Sequence, residues 1–411
     1  MYDGIRVIDC CDERGIIAGQ MLADMGADVI ALEPPGGSPA RRLPPFAGDD
    51  PGVERSLYWH AYARNKRSAT LDWSTPDGSA LLDELLARSD ALLLSGVESL
   101  AALGGYEALA ARFPRLVVAC VTPFGMDGPK SGYAGTDITI LASSGALRMS
   151  GDRDRPPLRG TLPQAWLHAG ADAAVGVLMA LAERETSGLG QLVSVSGRTS
   201  SMQATQSSIL ASGVGDVPTM RAAGGVYFGG IDIRFVFPAK DGYVSITLLF
   251  GSVAGLFTSR LMHWVHEAGF IDEATRDKDW YGYTVLLVTG QEPISEYERV
   301  KQCVAQFTAS FTKAELFEEA RRREVLLAPC ATADDLLHSE QYRAREYFWE
   351  APSPADGHPV RVPGAFAKLP ASPLVNRRPA PALGEHNAEV FTSILEISGE
   401  ELAALRGAGI I

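Results

Sequence analysis

The N-terminal third of the chain alternates short apolar runs with amphipathic segments, and this alternation constrains the fold more than any other feature. The apolar runs cover residues 5–11, 27–33, 90–95 and 116–122. The segments with helical spacing between them cover residues 19–26, 79–89 and 106–113. Apolar strands separated by helices are typical of a parallel sheet that is covered on both faces. We therefore predict an α/β fold with a Rossmann-like large domain built on a parallel sheet.

The turn after the first strand argues against a dinucleotide-binding site. The segment CCDERGIIAG offers Gly15 and Gly19, which do not form the G-x-G-x-x-G pattern. Glu33 ends the second strand, where a ribose-binding acid would lie in such a site. We interpret Glu33 instead as a residue that caps a strand end in an open sheet.

The character of the sequence changes after residue 202. A helix is predicted over 163–184 and a strand over 191–197, and a strand pair over 228–250 surrounds a turn at residues 240–242. A last helix is predicted from Ser398, because S-x-E-E is typical of a capping box. The predicted organisation is a first part of the large domain at 1–202, a linker at 203–225, a smaller α+β domain at 226–325, and a return segment at 326–411 that completes the large domain.

Charge and composition exclude several classes of function. The formal net charge of −13 argues against a general nucleic-acid binder, which needs a basic surface. The five cysteines have irregular spacing and are interpreted as reduced core thiols. His263 and His266 share a helix face but lack a third ligand, so no metal site is predicted. The first residues contain no signal-peptide pattern, and apolar runs are interrupted before transmembrane length, so we expect a cytoplasmic protein that does not contact a membrane.

A series of segments spread along the chain resembles the class III CoA-transferases, also called the CaiB/BaiF family. These segments are LADMGADVIALEPPGG (22–37), ARNKRSATLDWSTPDG (63–78), FGMDGP (124–129), GYAGTDITILASSGALRMSG (132–151), ALAERETSGLGQLVSVS (180–196), FPAKDGYVSIT (237–247), LAPC (327–330) and RPAPALGEHNAEV (378–390). The resemblance implies a Rossmann-like large domain and a small domain joined by long linkers. It also implies that two ring-like chains thread through each other into an interlocked dimer, with a coenzyme A thioester as substrate and no covalently bound cofactor.

The resemblance also implies an aspartate nucleophile, and this chain departs from the family at that position. Family transferases attack the acyl-CoA thioester with an aspartate in a stretch similar to P-x-A-D-L-x-A-G, which forms a mixed anhydride. The corresponding stretch here begins at Pro163, and Trp166 occupies the aspartate position. An indole has a donor N–H but no acidic oxygen, so it cannot act as a nucleophile and leaving group. We therefore predict that this chain has no catalytic residue of its own.

Neighbouring side chains do not replace the aspartate. Asp172 is six residues further on, which places it about 240° around the helix and about 9 Å along it. His168 would form an acyl-imidazole instead of an anhydride, and we expect it at a surface or interface. The racemases of the family pair the aspartate with a histidine, but Thr136 stands at that position and cannot exchange a proton with an α-carbon.

The coenzyme A site also departs from the family. An Asn-Phe-Arg-Pro-Gly-like run is replaced by Ser95-Gly96-Val97-Glu98, and positions that are often basic carry Pro34 and Ser74. Losing cationic partners weakens the binding of phosphates. The remaining candidates for contact with coenzyme A are Arg41, Lys66, Arg67 and Asp137. Lys66 and Arg67 are equally well explained as members of structural ion pairs.

Three functional hypotheses follow. In the first, the chain is the non-catalytic subunit of a CoA-transferase and pairs with a homologous subunit that keeps the aspartate. Two-subunit family members, such as benzylsuccinate CoA-transferase, suggest transfer from succinyl-CoA to an aryl-substituted succinate. In the second, a homodimeric transferase uses another carboxylate, and Trp166 lines an aromatic acceptor pocket. In the third, the chain is a binding or regulatory protein derived from the fold.

Overall fold

The computed structural model describes residues 1–215, 221–228 and 230–411. Its contacts divide the chain into two compact units. Unit 1 contains residues 1–146, 160–206 and 340–411, and unit 2 contains residues 147–159 and 207–339. Residues 147–159, which the sequence predicts within the large domain, belong to unit 2. The segment predicted to complete the large domain from residue 326 joins unit 1 only from residue 340.

The strands of the described residues are numbered in chain order. They are β1 Arg6–Asp9, β2 Asp28–Glu33, β3 Arg67–Thr70, β4 Ala91–Ser95, β5 Val117–Thr122, β6 Leu192–Ser196, β7 Gly225–Phe228, β8 Ile231–Arg234, β9 Val236–Ala239, β10 Gly242–Ile246, β11 Leu327–Pro329, β12 Phe348–Pro352 and β13 Pro359–Pro363.

The α-helices are numbered in the same way. They are α1 Ile16–Asp24, α2 Leu57–Tyr62, α3 Pro76–Ala87, α4 Val97–Ala102, α5 Gly105–Arg112, α6 Asp137–Ser144, α7 Gln164–Ser187, α8 Gly197–Met202, α9 Gln206–Gly213, α10 Gly251–Glu267, α11 Glu273–Arg276, α12 Tyr283–Val288, α13 Ile294–Ala309, α14 Lys313–Arg323, α15 Ala333–His338, α16 Glu340–Ala344, α17 Asn387–Leu395 and α18 Gly399–Gly407. Short 3₁₀ helices cover Pro39–Arg42, Ala47–Asp49, Leu147–Met149 and Gln203–Thr205.

Unit 1 is built on a six-stranded sheet with the order β3-β2-β1-β4-β5-β6. All of its strand pairs are parallel, which confirms the predicted α/β fold. One apolar layer contains Val7, Leu22 and Ala173, and the other contains Leu82 and Phe391. The strand order reverses between β1 and β4, and ligands of open parallel sheets bind outside the carboxyl ends of the strands at such a switch point.

Helix α7 packs against α1 and the sheet within unit 1, and this packing explains its small residues. A Cβ atom added to Gly170 would overlap Ile17 Cγ2 and lie 3.5 Å from the main-chain nitrogen of Ala18. A Cβ atom on Gly176 would overlap the side chain of Val193 in β6. With 24 residues and a mean hydropathy of 1.4, α7 is long and apolar enough to cross a membrane, but half of its most apolar window is buried inside the protein. It therefore has the character of a core helix.

Unit 2 contains a three-stranded antiparallel sheet with the order β11-β10-β9. Strands β9 and β10 flank residues 240 and 241, as the sequence predicts for the turn. The aromatic rings of Phe250, Trp280, Tyr283 and Tyr297 pack together in its core. Of the predicted linker 203–225, residues 203–213 form helical turns and residues 216–220 lie outside the described residues.

The C-terminal part of unit 1 contacts its N-terminal part through specific polar groups. The side chain of Asn65 accepts hydrogen bonds from the main-chain nitrogens of Arg377 and Arg378 at 2.7 and 3.2 Å. Asn387, the first residue of α17, pairs with the main-chain nitrogen and the hydroxyl of Thr70 at the end of β3. The last helix, α18, begins after Ser398, which forms the predicted capping box with Glu401 in the first turn.

Candidate functional site

The candidate site lies at the first turn of α7, where the family resemblance implies the nucleophile. Trp166 is the third residue of this helix, and only 4% of its surface is exposed. The nearby Ala165, Ala169 and Gly170 are buried as well. The large side chain therefore enters the interior of unit 1 at a point where the helix is otherwise thin.

Trp166 packs against the beginning of α8. A Cβ atom placed on Gly197, the first residue of α8, would lie 3.2 Å from Trp166 Cζ3 and 3.5 Å from Ile140 Cδ1 of α6. The indole therefore fills the space where α6, α7 and α8 meet. An apolar ring in this position supplies packing and offers no oxygen for acyl transfer.

Asp137 lies beside Trp166 and stabilises the start of its helix. Helix α7 begins after Pro163 and has no side-chain cap from its own N-cap residue. Asp137 Oδ1 accepts a hydrogen bond of 2.9 Å from the main-chain nitrogen of Ala165. A carboxylate in this place satisfies an amide at the helix start and interacts favourably with the helix dipole.

Thr136, which stands where a racemase would carry a histidine, forms the N-cap of α6. Its main-chain nitrogen donates to Thr139 Oγ1 at 2.9 Å, which completes a capping box. His168 and Asp172 of α7 are both exposed, so they lie on a different face of the helix from buried Trp166. This placement agrees with the expectation that Asp172 points away from the Trp166 position and that His168 lies at a surface.

Arg41, a predicted contact for coenzyme A, is fully buried and paired within unit 1. Its guanidinium donates to both carboxylate oxygens of Glu33 at 2.6 and 2.9 Å, and also to Glu54 and to the carbonyl oxygen of Pro381. It also stacks on the ring of Trp59 at 3.9 Å. Every guanidinium nitrogen of Arg41 thus has an acceptor within unit 1. Glu33, at the end of β2, is a carboxylate partner of Arg41.

Lys66 and Arg67 also form ion pairs within unit 1. Lys66 Nζ donates to Asp9 Oδ2 and to the carbonyl oxygen of Ile16, both at 2.7 Å. The Arg67 guanidinium donates to both carboxylate oxygens of Asp28 at 2.6 and 2.9 Å, and to Glu389 at 3.0 Å. These contacts match the structural alternative for both residues. It stays a prediction that coenzyme A contacts Arg41, Lys66, Arg67 and Asp137.

A charged cluster that no sequence pattern predicts lies at the carboxyl ends of β1 and β4. Arg14 donates to both carboxylate oxygens of Asp12, at 2.7 to 3.0 Å, and to Glu98 Oε1 at 3.0 Å. Arg14 Nη2 also donates to the carbonyl oxygen of Ser95 at 3.2 Å. We call Asp12, Arg14 and Glu98 the Arg14 cluster. Glu98 stands in the run that replaces the family's Asn-Phe-Arg-Pro-Gly-like segment. This departure was the one feature of the sequence that could have drawn attention to the cluster.

Hydrogen bonds to carboxylates hold the Arg14 guanidinium in its charged form. Burial by itself would lower the pKa of Arg14, but the hydrogen bonds that Arg14 donates to Asp12 and Glu98, with the charges of these carboxylates, outweigh it and raise that pKa. Burial, followed by the charge of Asp12, raises the pKa of the neighbouring Glu13. Within the described residues, no group of three or more His, Cys, Asp or Glu side chains is arranged to hold a metal ion.

The sequence of the chain is similar to those of known proteins. The profile of CoA-transferase family III matches residues 2–387. The chain is 32% identical to succinyl-CoA:(R)-benzylsuccinate CoA-transferase subunit BbsE of Thauera aromatica, over 95% of this chain and 93% of that protein. It is 29% identical to succinyl-CoA–D-citramalate CoA-transferase of Chloroflexus aurantiacus, over 100% of this chain and 98% of that protein.

The fold has a close counterpart among solved structures. A crystal structure of a CaiB/BaiF family protein from Brucella suis superposes with a TM-score of 0.81, with 24% sequence identity. The superposition covers 96% of this chain and 99% of that chain. Together with the profile match, it confirms the resemblance that the segments along the sequence carry.

Proposed function

This chain belongs to CoA-transferase family III, and from that premise we propose that it is the non-catalytic subunit of a two-subunit CoA-transferase. The complex moves coenzyme A from an acyl-CoA thioester to a carboxylic acid. A homologous subunit supplies the aspartate, and this chain supplies the second half of an interlocked dimer. The complex works in the cytoplasm, without a metal ion or a covalently bound cofactor.

The observation that carries this proposal is the burial of Trp166 at the position where the family resemblance implies the aspartate. Acyl transfer through a mixed anhydride needs an oxygen nucleophile that also leaves well, and a carboxylate has both properties. The indole has neither, and its ring occupies the space at the start of α8. The carboxylate beside it, Asp137, is engaged in holding the start of α7.

We propose succinyl-CoA as the coenzyme A donor and an aryl-substituted succinate as the acceptor. Both relatives described above carry succinyl-CoA in their names, and the one from Thauera aromatica is named as a subunit of a benzylsuccinate CoA-transferase. No residue of this chain selects the acceptor by itself, so its identity rests on that similarity.

The first test is native mass spectrometry of the protein isolated from its own cells. We expect a heteromer with a homologous chain that has an aspartate where this chain has Trp166. A homodimer would contradict the proposal and would favour a transferase that uses another carboxylate of this chain. A complex with an unrelated protein would favour a binding or regulatory protein instead.

The second test is turnover, with succinyl-CoA and (R)-benzylsuccinate as the probes. The purified chain alone should form no benzylsuccinyl-CoA, and the complex should form it. Replacing the partner's aspartate by asparagine should abolish turnover. Trp166→Phe in this chain keeps an apolar ring, so the complex should keep most of its turnover. Turnover by the pure chain would overturn the proposal.

A further inference from the structure

The switch point of the sheet is the place where an open parallel fold has room for a ligand. In unit 1 the strand order reverses between β1 and β4, so that the loops leaving these two strands diverge. The loop after β1 contains Asp12 and Arg14, and the loop after β4 contains Gly96 and leads into α4 with Glu98. We call the space outside these two loops the switch-point crevice.

The Arg14 cluster spans this crevice. Arg14 is fixed to its own loop by Asp12. Its Nη2, which also pairs with Asp12, donates to the carbonyl oxygen of Ser95, and its Nη1 reaches across to Glu98. The two loops are thereby joined by contacts between residues that are 84 and 81 positions apart. A ligand that entered here would have to displace at least the Glu98 carboxylate, which is the exposed end of the cluster with 65% of its side chain accessible.

Gly96 permits this arrangement. It adopts a φ of +84°, which favours glycine, and a Cβ atom at this position would overlap the carboxylate of Glu98. Glu98 therefore folds back over the end of β4, where a larger residue would push it away. The run Ser95-Gly96-Val97-Glu98 is thus a coherent local structure that directs a carboxylate toward Arg14.

The charge balance in the crevice is unfavourable for phosphates. Two carboxylates surround one guanidinium in the Arg14 cluster, which leaves an excess of negative charge. Beside it a cavity of about 240 Å³ remains, and it is lined by Cys10, Trp73, Leu82, Leu94, Glu98, Ser99, Ala102 and Leu103. Glu98 is the charged residue among them, so the cavity presents a carboxylate to a ligand that carries several negative charges.

We propose that Arg14 and Glu98 are specificity-determining residues that close the switch-point crevice to coenzyme A. The coenzyme then binds only on the partner subunit, and the complex has one type of thioester site. This inference rests on the proposed function for the existence of the partner. The closure itself rests on the contacts of the Arg14 cluster.

The test is calorimetric titration of the full-length chain with coenzyme A at low ionic strength. The wild-type chain should show no saturable binding. Glu98→Ala should remove the competing carboxylate and free one nitrogen of Arg14, so that saturable binding of coenzyme A appears. Glu84→Ala is the matched control, because Glu84 lies on α3, carries the same charge, pairs with an arginine (Arg88) and is also exposed, with 54% of its side chain accessible.

The outcomes separate this inference from the proposed function. Saturable binding by the wild type would overturn the closure, and so would a Glu98→Ala variant that binds no better than Glu84→Ala. Thermal unfolding of each variant verifies that it is folded. We expect Glu98→Ala to fold because Arg14 keeps its pair with Asp12. Turnover of acyl-CoA by the pure chain would contradict the proposed function, whereas coenzyme A binding without turnover would contradict the closure alone.

Discussion

The carboxylate of Asp137 accepts a hydrogen bond from the main-chain nitrogen of Ala165 at 2.9 Å. It thereby fixes the start of α7 one residue before Trp166. Asp137 lies at the first position of α6, so a single side chain joins the starts of two helices. The contact explains how α7 begins after a proline without a cap of its own.

Asp137→Ala should therefore lower the free energy of unfolding. A buried amide left without an acceptor costs about 1–3 kcal/mol. Asp137→Asn keeps an acceptor oxygen and should cause a smaller loss. Urea unfolding of the three proteins measures both effects. Equal stability of the alanine variant and the wild type would show that the contact does not hold α7 in place.

Trp166→Ala should be one of the most destabilising single changes in unit 1. The truncation leaves a cavity among α6, α7 and α8, and such changes typically cost about 3–5 kcal/mol. Trp166→Phe fills part of this space and should lose less. A packing role predicts that the free energy of unfolding, measured with a chemical denaturant, is lowest for the alanine variant, intermediate for the phenylalanine variant and highest for the wild type. An alanine variant as stable as the wild type would place the indole outside the core.

Gly170→Ala should destabilise the contact between α1 and α7, because its Cβ atom would overlap Ile17 Cγ2. Overpacking of this kind costs about 1–3 kcal/mol. In the Ile17→Ala background the overlapping methyl group is absent, so the penalty of Gly170→Ala should shrink or vanish. A double-mutant cycle measures this coupling. A penalty that is the same in both backgrounds would contradict the proposed cause.

His386 should make the stability of unit 1 depend on pH. Burial first, and then the charges of Arg378 and Arg67, lower the pKa of His386, although Glu385 and Glu389 oppose the shift. The main-chain nitrogen of Ser68 lies 3.3 Å from its Nδ1, which suits a neutral ring. Because the folded pKa is below the unfolded one, the stabilising contribution is complete above about pH 6.5 and is lost as the pH falls through the folded pKa.

The corresponding measurement is the unfolding free energy of the wild type and of His386→Asn between pH 7.5 and 5. Asparagine keeps an acceptor near the position of Nδ1 and is a good N-cap residue for α17. It should lose less stability on acidification than the wild type. Identical slopes for the wild type and the His386→Asn variant would disprove the assignment.

The sequence predicted the parallel sheet of unit 1 well because its strands are apolar and are separated by helices with a clear period. The strands β12 and β13 were missed, because they belong to a hairpin rich in proline and charge that lacks a strict alternation. Trp166, which the sequence singled out, lies in the core. Its burial could not be predicted from the sequence, because it depends on where α6 and α8 pack. The pair of Arg14 and Glu98 could not be read from local pattern, since only the strand order brings β1 next to β4.

The segmented build of unit 1 has a consequence for how the chain folds during synthesis. Residues 340–411 supply the partners of Asn65, Arg67 and Thr70, which are translated several hundred residues earlier. The contiguous stretch 207–339 of unit 2 leaves the ribosome while unit 1 still lacks these partners. The nascent sheet of unit 1 therefore keeps its β3 edge without these partners until residues 340–411 have been synthesised, so this edge is vulnerable on the growing chain and is protected once those residues are in place.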